Sequence, residues 1–174
     1  MKILMAQVTD NVLGADGLVP ALQRDLEHSF SRANTTEGSK MGSLTNPGSV
    51  SETISCGFLF KSNDEGQLEL KRAMKEGKEV KIWIIDTTKV TIPGAVAPAP
   101  TQGYKTDFAY CVLGELSYSY PYEGVEEVTS ELTVQIISQE GYLTELPDGI
   151  VDFAGYGFET PGEYTGDHVN RTDV

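Results

Sequence analysis

Around Gly77 the residue period of the chain changes within a few positions, and that switch limits the available folds more than any other feature. Upstream, Asp64 stands where a helix N-cap belongs, Gln67 follows three residues on, and Leu70, Ala73 and Met74 recur at helical spacing. Gly77 then occupies the position at which a helix end favours a residue free to take positive φ. Downstream, Val80, Ile82 and Ile84 alternate with Lys81 and Trp83, which is the two-residue period of a strand. One helix over 64–76 therefore runs straight into a strand, in a chain whose other patterned segments read as β. A lone helix on such a chain has to flank a sheet, so the expected class is mainly β with a single helix against it.

At 174 residues the chain is long enough for one domain with a real core. Its 18 glycines and 8 prolines break it often, as many-turned β proteins require. No apolar run approaches the ~20 residues that span a bilayer, so no membrane partner is expected. The first six residues, Met1-Lys2-Ile3-Leu4-Met5-Ala6, are too short for a signal peptide, and the protein is expected to stay in the cell that makes it. Cys56 and Cys111 both fall inside strand patterns and read as buried free thiols.

Charge is unevenly placed. Residues 1–90 carry 11 Lys and Arg against 12 Asp and Glu, whereas residues 91–174 carry only Lys105 and Arg171 against 14 acids. Nearly all of the net charge of −13 thus sits in the second half. Such a block cannot bind nucleic acid through its phosphates, since that requires cations that release counterions. It suits either an ordinary solvated surface or a wall that passes DNA without holding it.

Residues 1–20 contain Asn11, Gly14, Asp16 and Gly17 as breakers and read as an N-terminal arm. Weak alternation follows over 24–34. Residues 31–49 are polar and without period, with Met41 and Leu44 as lone apolar residues, and read as one long loop. A strand then places Val50, Ile54, Cys56, Phe58 and Phe60 on one face. After the helix and its strand, Pro93, Pro98 and Pro100 punctuate a connection. Phe108, Tyr110, Val112 and Leu113 open another strand, and 121–124 turn it. The return strand is the clearest: Val128, Leu132, Val134 and Ile136 point one way, while Thr129, Glu131, Thr133 and Gln135 point the other. One oily and one wet, acidic face describe a sheet packed on one side and solvated on the other. A last strand runs over 143–153, broken at Pro147-Asp148-Gly149, and 154–174 form a Gly- and Tyr-rich C-terminal arm. The domain proper is 21–153.

No catalytic set emerges. His28 and His168 lie near opposite ends of the sequence, and no His or Cys pair has ligand spacing, so neither metal nor cofactor is expected. No serine sits in a Gly-x-Ser-x-Gly elbow, and no phosphate-binding fingerprint occurs. Paired carboxylates of the glycosidase kind remain conceivable among so many acids, but Glu126, Glu127 and Glu131 look like the wet side of a strand. Tyr118, Tyr120 and Tyr122 cluster without interleaved cations, which suits packing or a neighbouring subunit better than stacking on single-stranded nucleic acid.

Several segments, in order, resemble one family. They are the helix-Gly-Lys-strand unit, the turn Asn46-Pro47-Gly48-Ser49-Val50-Ser51 before it, and the hairpin from Tyr118 to Val128 with Ser130-Glu131-Leu132-Thr133-Val134-Gln135-Ile136-Ile137. The closing Leu143-Thr144-Glu145-Leu146-Pro147-Asp148-Gly149-Ile150-Val151 completes the set. Together they resemble the major tail proteins, or tail tube proteins, of phages with long non-contractile tails. The resemblance runs over roughly residues 20–165 and rests on order and spacing.

It implies a two-sheet antiparallel β-sandwich or barrel with the flanking helix, a long loop and terminal arms. It implies a non-enzymatic virion protein, assembled in the host bacterial cytoplasm, whose hexameric rings stack into a tube for DNA ejection. Its partners would be itself, the tail terminator, tape measure and distal tail proteins, and passing double-stranded DNA that it does not bind. On that view the loop residues Arg32, Asn34, Thr35, Lys40, Met41 and Leu44 are candidates for inter-subunit stacking, and Glu127 and Glu131 for an acidic lumen. The alternatives are a related tube protein of a secretion or injection apparatus, and a carbohydrate-binding β-sandwich or glycosidase.

Overall fold

The computed structural model describes residues 1–12 and 15–147. The C-terminal arm expected over 154–174, and most of the last strand expected over 143–153, lie outside the described residues. The elements are β1 (Lys2–Val8), β2 (Gln23–Arg32), β3 (Thr35–Ser39), β4 (Gly42–Asn46) and β5 (Val50–Leu59), then α1 (Glu65–Glu76). They continue as β6 (Glu79–Thr91), β7 (Gln102–Ser119), β8 (Glu127–Val134) and β9 (Gln139–Leu143). Two antiparallel sheets result. One has seven strands in the order β1-β6-β7-β8-β5-β2, with β9 beside β7, and the other is the β3–β4 hairpin.

Alternation curls the large sheet around its own apolar face. Leu4, Ala6 and Val8 of β1 meet Ile54, Cys56 and Phe58 of β5, Val80, Ile82 and Ile84 of β6, and Val128, Leu132 and Val134 of β8 in a single core. The first and last strands of the path are joined by one side chain. Gln23 of β2 accepts from the Leu4 N–H at 2.7 Å and donates to the Leu4 carbonyl at 2.6 Å. Its amide thus reproduces, at one point, the pair of bonds a neighbouring strand would make. The result is a flattened barrel, the expected class.

α1 packs against this core through Leu70 and Ala73, both 1% exposed, each such burial of a leucine-sized side chain contributing about 2 kcal/mol. Asp64 caps it, accepting from the Gln67 N–H at 2.9 Å and also from the Ala21 N–H at 3.2 Å. Buried Gln67 donates to the carbonyls of Leu59 and Ala21, so the helix start is pinned to the ends of two other segments. Met74, read as part of the apolar face, is instead 39% exposed, because the helix buries a narrower stripe than its sequence offers.

Three expectations give way. Residues 1–20 are not an arm throughout, because β1 is among the most buried strands of the sheet. Its alternation is hidden since both faces are covered: Leu4, Ala6 and Val8 face the barrel core, while Ile3 and Met5 face a second cluster with Ile85 and Tyr104. Residues 31–49 are not an unstructured loop but the end of β2 and the β3–β4 hairpin. Last, β8 ends at Val134, and Ile136, expected on its buried face, is 84% exposed.

Gly77 ends α1 as the sequence suggests, at φ 64° and ψ 37°, with its N–H bonded to the Ala73 carbonyl. A β-branched side chain fits that left-handed conformation poorly. Gly77→Val is therefore expected to lower stability by about 1–2 kcal/mol, read as a fall in melting temperature against the parent. An unchanged melting temperature would contradict this account of the helix end.

Candidate assembly surfaces

Two surfaces stand out, a wet wall and a projecting arm. The wall is the solvent face of four neighbouring strands, β7 (second half), β8, β5 and β2. Register aligns Ser117 with Thr129, Glu115 and Ser55 with Glu131, Thr53 with both Thr133 and Ser29, and Ser51 with Ser31. The face is thus almost entirely hydroxyl and carboxylate. Both sequence-nominated acids lie on it, exposed on alternate positions of β8. Glu127 is ion-paired with Arg24, whereas Glu131 lies in register with Glu115 and has no ion-pair partner among the described residues. The charge pattern pointed to the acids. The hydroxyl ladder around them was not singled out, because isolated Ser and Thr in strands carry no signal until pairing aligns them.

The arm continues β2 and β5 outward. Arg32 closes β2 opposite Val50, Asn34 lies exposed in the link to β3, and Thr35 pairs with Asn46. The Thr36 and Thr45 hydroxyls are bonded across the hairpin at 3.1 Å. Leu44 is placed opposite Glu37 in the ladder, and Lys40 and Met41 form the two-residue tip. The structure thus gathers all six nominated arm residues onto one extension, apart from Glu127 and Glu131 on the barrel wall. At the arm root Gly48 passes so near Ala33 that an added Cβ would lie 1.7 Å from its carbonyl oxygen. No larger residue fits that crossing. The hairpin was invisible to periodicity because its described side chains are exposed on both faces.

Sequence reasoning also missed the hydrogen-bonded pair beneath the arm, His28 and Glu52. Glu52 is only 3% exposed where it meets His28, while Phe30 lies with its ring centroid 4.6 Å from that of His28 and stays 60% exposed. Glu52 Oε1 lies 2.5 Å from His28 Nε2, and Oε2 accepts from the Ser138 N–H at 2.9 Å. Burial alone would raise this carboxyl, but hydrogen bonds from Ser138 and His28 outweigh it and hold it below the ordinary carboxylate range. The carboxylate ties the 135–138 segment to the arm root. Elsewhere the core is inert: Cys56 and Cys111 are free and buried, and burial pushes both thiols up to about 12. Among the described residues no group of His, Cys, Asp and Glu is arranged to hold a metal ion.

The sequence profile of the family described as "Phage tail tube protein" matches residues 3–136. The chain belongs to that family. The tail tube protein gp17.1* of Bacillus phage SPP1 is 31% identical over 163 residues, covering 92% of this chain and 58% of that protein. A putative tail protein of Staphylococcus phage phiMR11 is 29% identical over 129 residues, covering 71% of this chain and 63% of that one. The chain therefore spans about three fifths of the length of these relatives. Among solved structures, the SPP1 tail tube matches with a TM-score of 0.71 at 24% identity, over 95% of this chain and 92% of the other. The tail of a gene transfer agent particle, resolved with C6 symmetry, matches at 0.56 and 12% identity over 79% and 92%. The fold of this chain is thus that of tail tube proteins, and none of these relatives is a carbohydrate-binding protein or glycosidase.

The Glu52 carboxyl supplies a pH prediction. Because its folded-state pKa is lowered, its contribution is fully present above the unfolded value, roughly 4.3, and is lost as pH falls through the folded value. Glu52→Gln is expected to be about 1–3 kcal/mol less stable than the parent at neutral pH, with the gap narrowing as pH falls below 4 to 5. Chemical denaturation of both proteins across that range checks it, and a gap that stays constant would contradict it.

Proposed function

We propose that this chain is the building block of a phage tail tube, that six copies close into a ring, and that rings stack into a conduit for DNA ejection. Family membership supports the structural role, and the wet four-stranded wall is the observation that carries the conduit. A surface of Ser, Thr and Glu, whose Arg24 is already paired with Glu127, offers phosphate little attraction, and its short side chains leave a smooth wall. Each carboxylate–phosphate repulsion is weak across roughly 10 Å of screening salt solution, so what matters is the absence of attraction. In the ring, Glu131 and Glu115 face the lumen, with Glu127 tempered by Arg24.

Strand edges favour closure of the ring through that wall. β6 leaves β7 at Val112, so among the described residues the far edge of β7 beyond it is without a strand partner, and β2 has none on its side away from β5. The wall is bracketed by these two edges, and pairing one with the other in a neighbouring copy satisfies both. The arm residues Arg32, Asn34, Thr35, Lys40, Met41 and Leu44 then make the ring-to-ring contacts. The wider setting follows from the same reading: a virion tail assembled in the host cytoplasm, meeting terminator, tape measure and distal tail proteins at its ends.

Concentrated protein is expected to form hollow tubes in negative-stain electron microscopy, and globular particles at every concentration would refute the tube reading. Replacing 35–45 by a Gly-Ser turn should leave the melting temperature nearly unchanged, since the described side chains of the hairpin are exposed, while abolishing tubes. Tubes of normal length from that variant would return the stacking role to other segments. Micromolar protein should not shift duplex DNA at modest ionic strength; a salt-dependent shift would overturn the lumen assignment.

A further inference from the structure

β2 and β5 pair antiparallel over ten residues each, and they set two features apart. The arm leaves where β2 ends and β5 begins. The link to α1 leaves from the opposite end, after Leu59, ~30 Å away along the strands. Beside that link lies a groove of about 730 Å³. Met5, Val19 and Leu146 give it an apolar floor. Asp16, Glu65 and Glu145 stand exposed on its rim against one cation, Lys61. None of the three carboxylates has an ion-pair partner among the described residues.

The arm is the chemical complement of this groove. Its ladder carries Glu37 as its one acid, while Arg32 stands at its base and Lys40 at its tip. Met41, beside Lys40, is 99% exposed. A flexible thioether next to an ammonium suits an apolar floor rimmed by carboxylates. The arm cannot reach its own groove: five-residue strands extend ~17 Å, and they project from the far end of the β2–β5 pair. A second copy placed head to tail brings tip and groove together, and the same contact then repeats at each step.

We propose that the groove between the α1 N-terminus and residues 143–147 is the receptor for the Lys40-Met41 tip of a second copy in the adjacent ring. Met41 lies on the floor beside Val19, and Lys40 sits among Asp16, Glu65 and Glu145. The assignment rests on the tube reading and adds to it the surface that receives the arm.

Charge reversal tests both sides of the contact in the full-length chain. Lys40→Glu and the double variant Glu65→Lys/Glu145→Lys are each expected to keep the parental melting temperature and ring mass. Tube mass in electron micrographs should fall about tenfold or more, since one repelling pair repeats around every ring. Combining the three substitutions should restore tubes. Normal tubes from the double variant, or no recovery in the combination, would overturn the receptor assignment while leaving the tube reading intact. If the parent itself forms no tubes, the tube reading falls and the receptor with it. Met41→Cys/Val19→Cys gives a readout without added charge. Oxidised tubes should yield a ladder of covalent multimers on non-reducing gels, and tubes without a ladder would overturn the contact.

Discussion

A single shared interior organises this protein. Alternate residues of β1, β5, β6, β7 and β8 point into one core, and α1 adds Leu70 and Ala73 to it. Because the sheet must curl to bury that face, its opposite face turns outward as a convex wall, free of packing demands along four strands. Most features follow from this geometry. Ser, Thr and Glu are tolerated on the wall only because their neighbours on the same strands already supply the burial. The closing contact is small, one Gln23 amide against the Leu4 backbone, which leaves most of the β2 edge open to another chain.

The charge imbalance has a structural counterpart. Lys61, Lys71, Arg72, Lys75 and Lys78 gather on and around α1, where Arg72 pairs with Glu69 and Asp10 and Lys78 with Asp10. Acids of the second half, by contrast, include Glu115, Glu127 and Glu131 on the wall. The fold thus gathers many of its cations around the helix, and the arginine on the wall, Arg24, is paired with Glu127. Net charge alone would not distinguish a solvated surface from a wall. Register adds that the acids lie among hydroxyls over adjacent strands.

How much was legible depended on whether burial was one-sided. α1 and its stop at Gly77 were readable because local chemistry decides them: a cap, a narrow stripe and a left-handed residue. β8 was readable because one face is buried and the other wet, until Val134, after which Ile136 mimicked a continuation the chain does not make. β1 was unreadable because it is covered on both sides, and the β3–β4 hairpin because its described side chains are all exposed. The Glu52–His28 contact was also beyond reach, since it joins residues 24 positions apart through the β2–β5 register. The six arm residues were nominated on a loop and lie on or beside a hairpin, the two acids lie on the strand that alternation marked, and their separation on arm and wall required the fold.

The opposed placement of arm and helix on the β2–β5 pair makes each subunit a directional object. A filament built on that polarity presents, after every added layer, the same two ends it had before. Nothing in such a contact counts layers or signals completion, because a heterologous joint that does not close on itself has no natural stopping point. In the proposed tube, therefore, this contact alone sets no length.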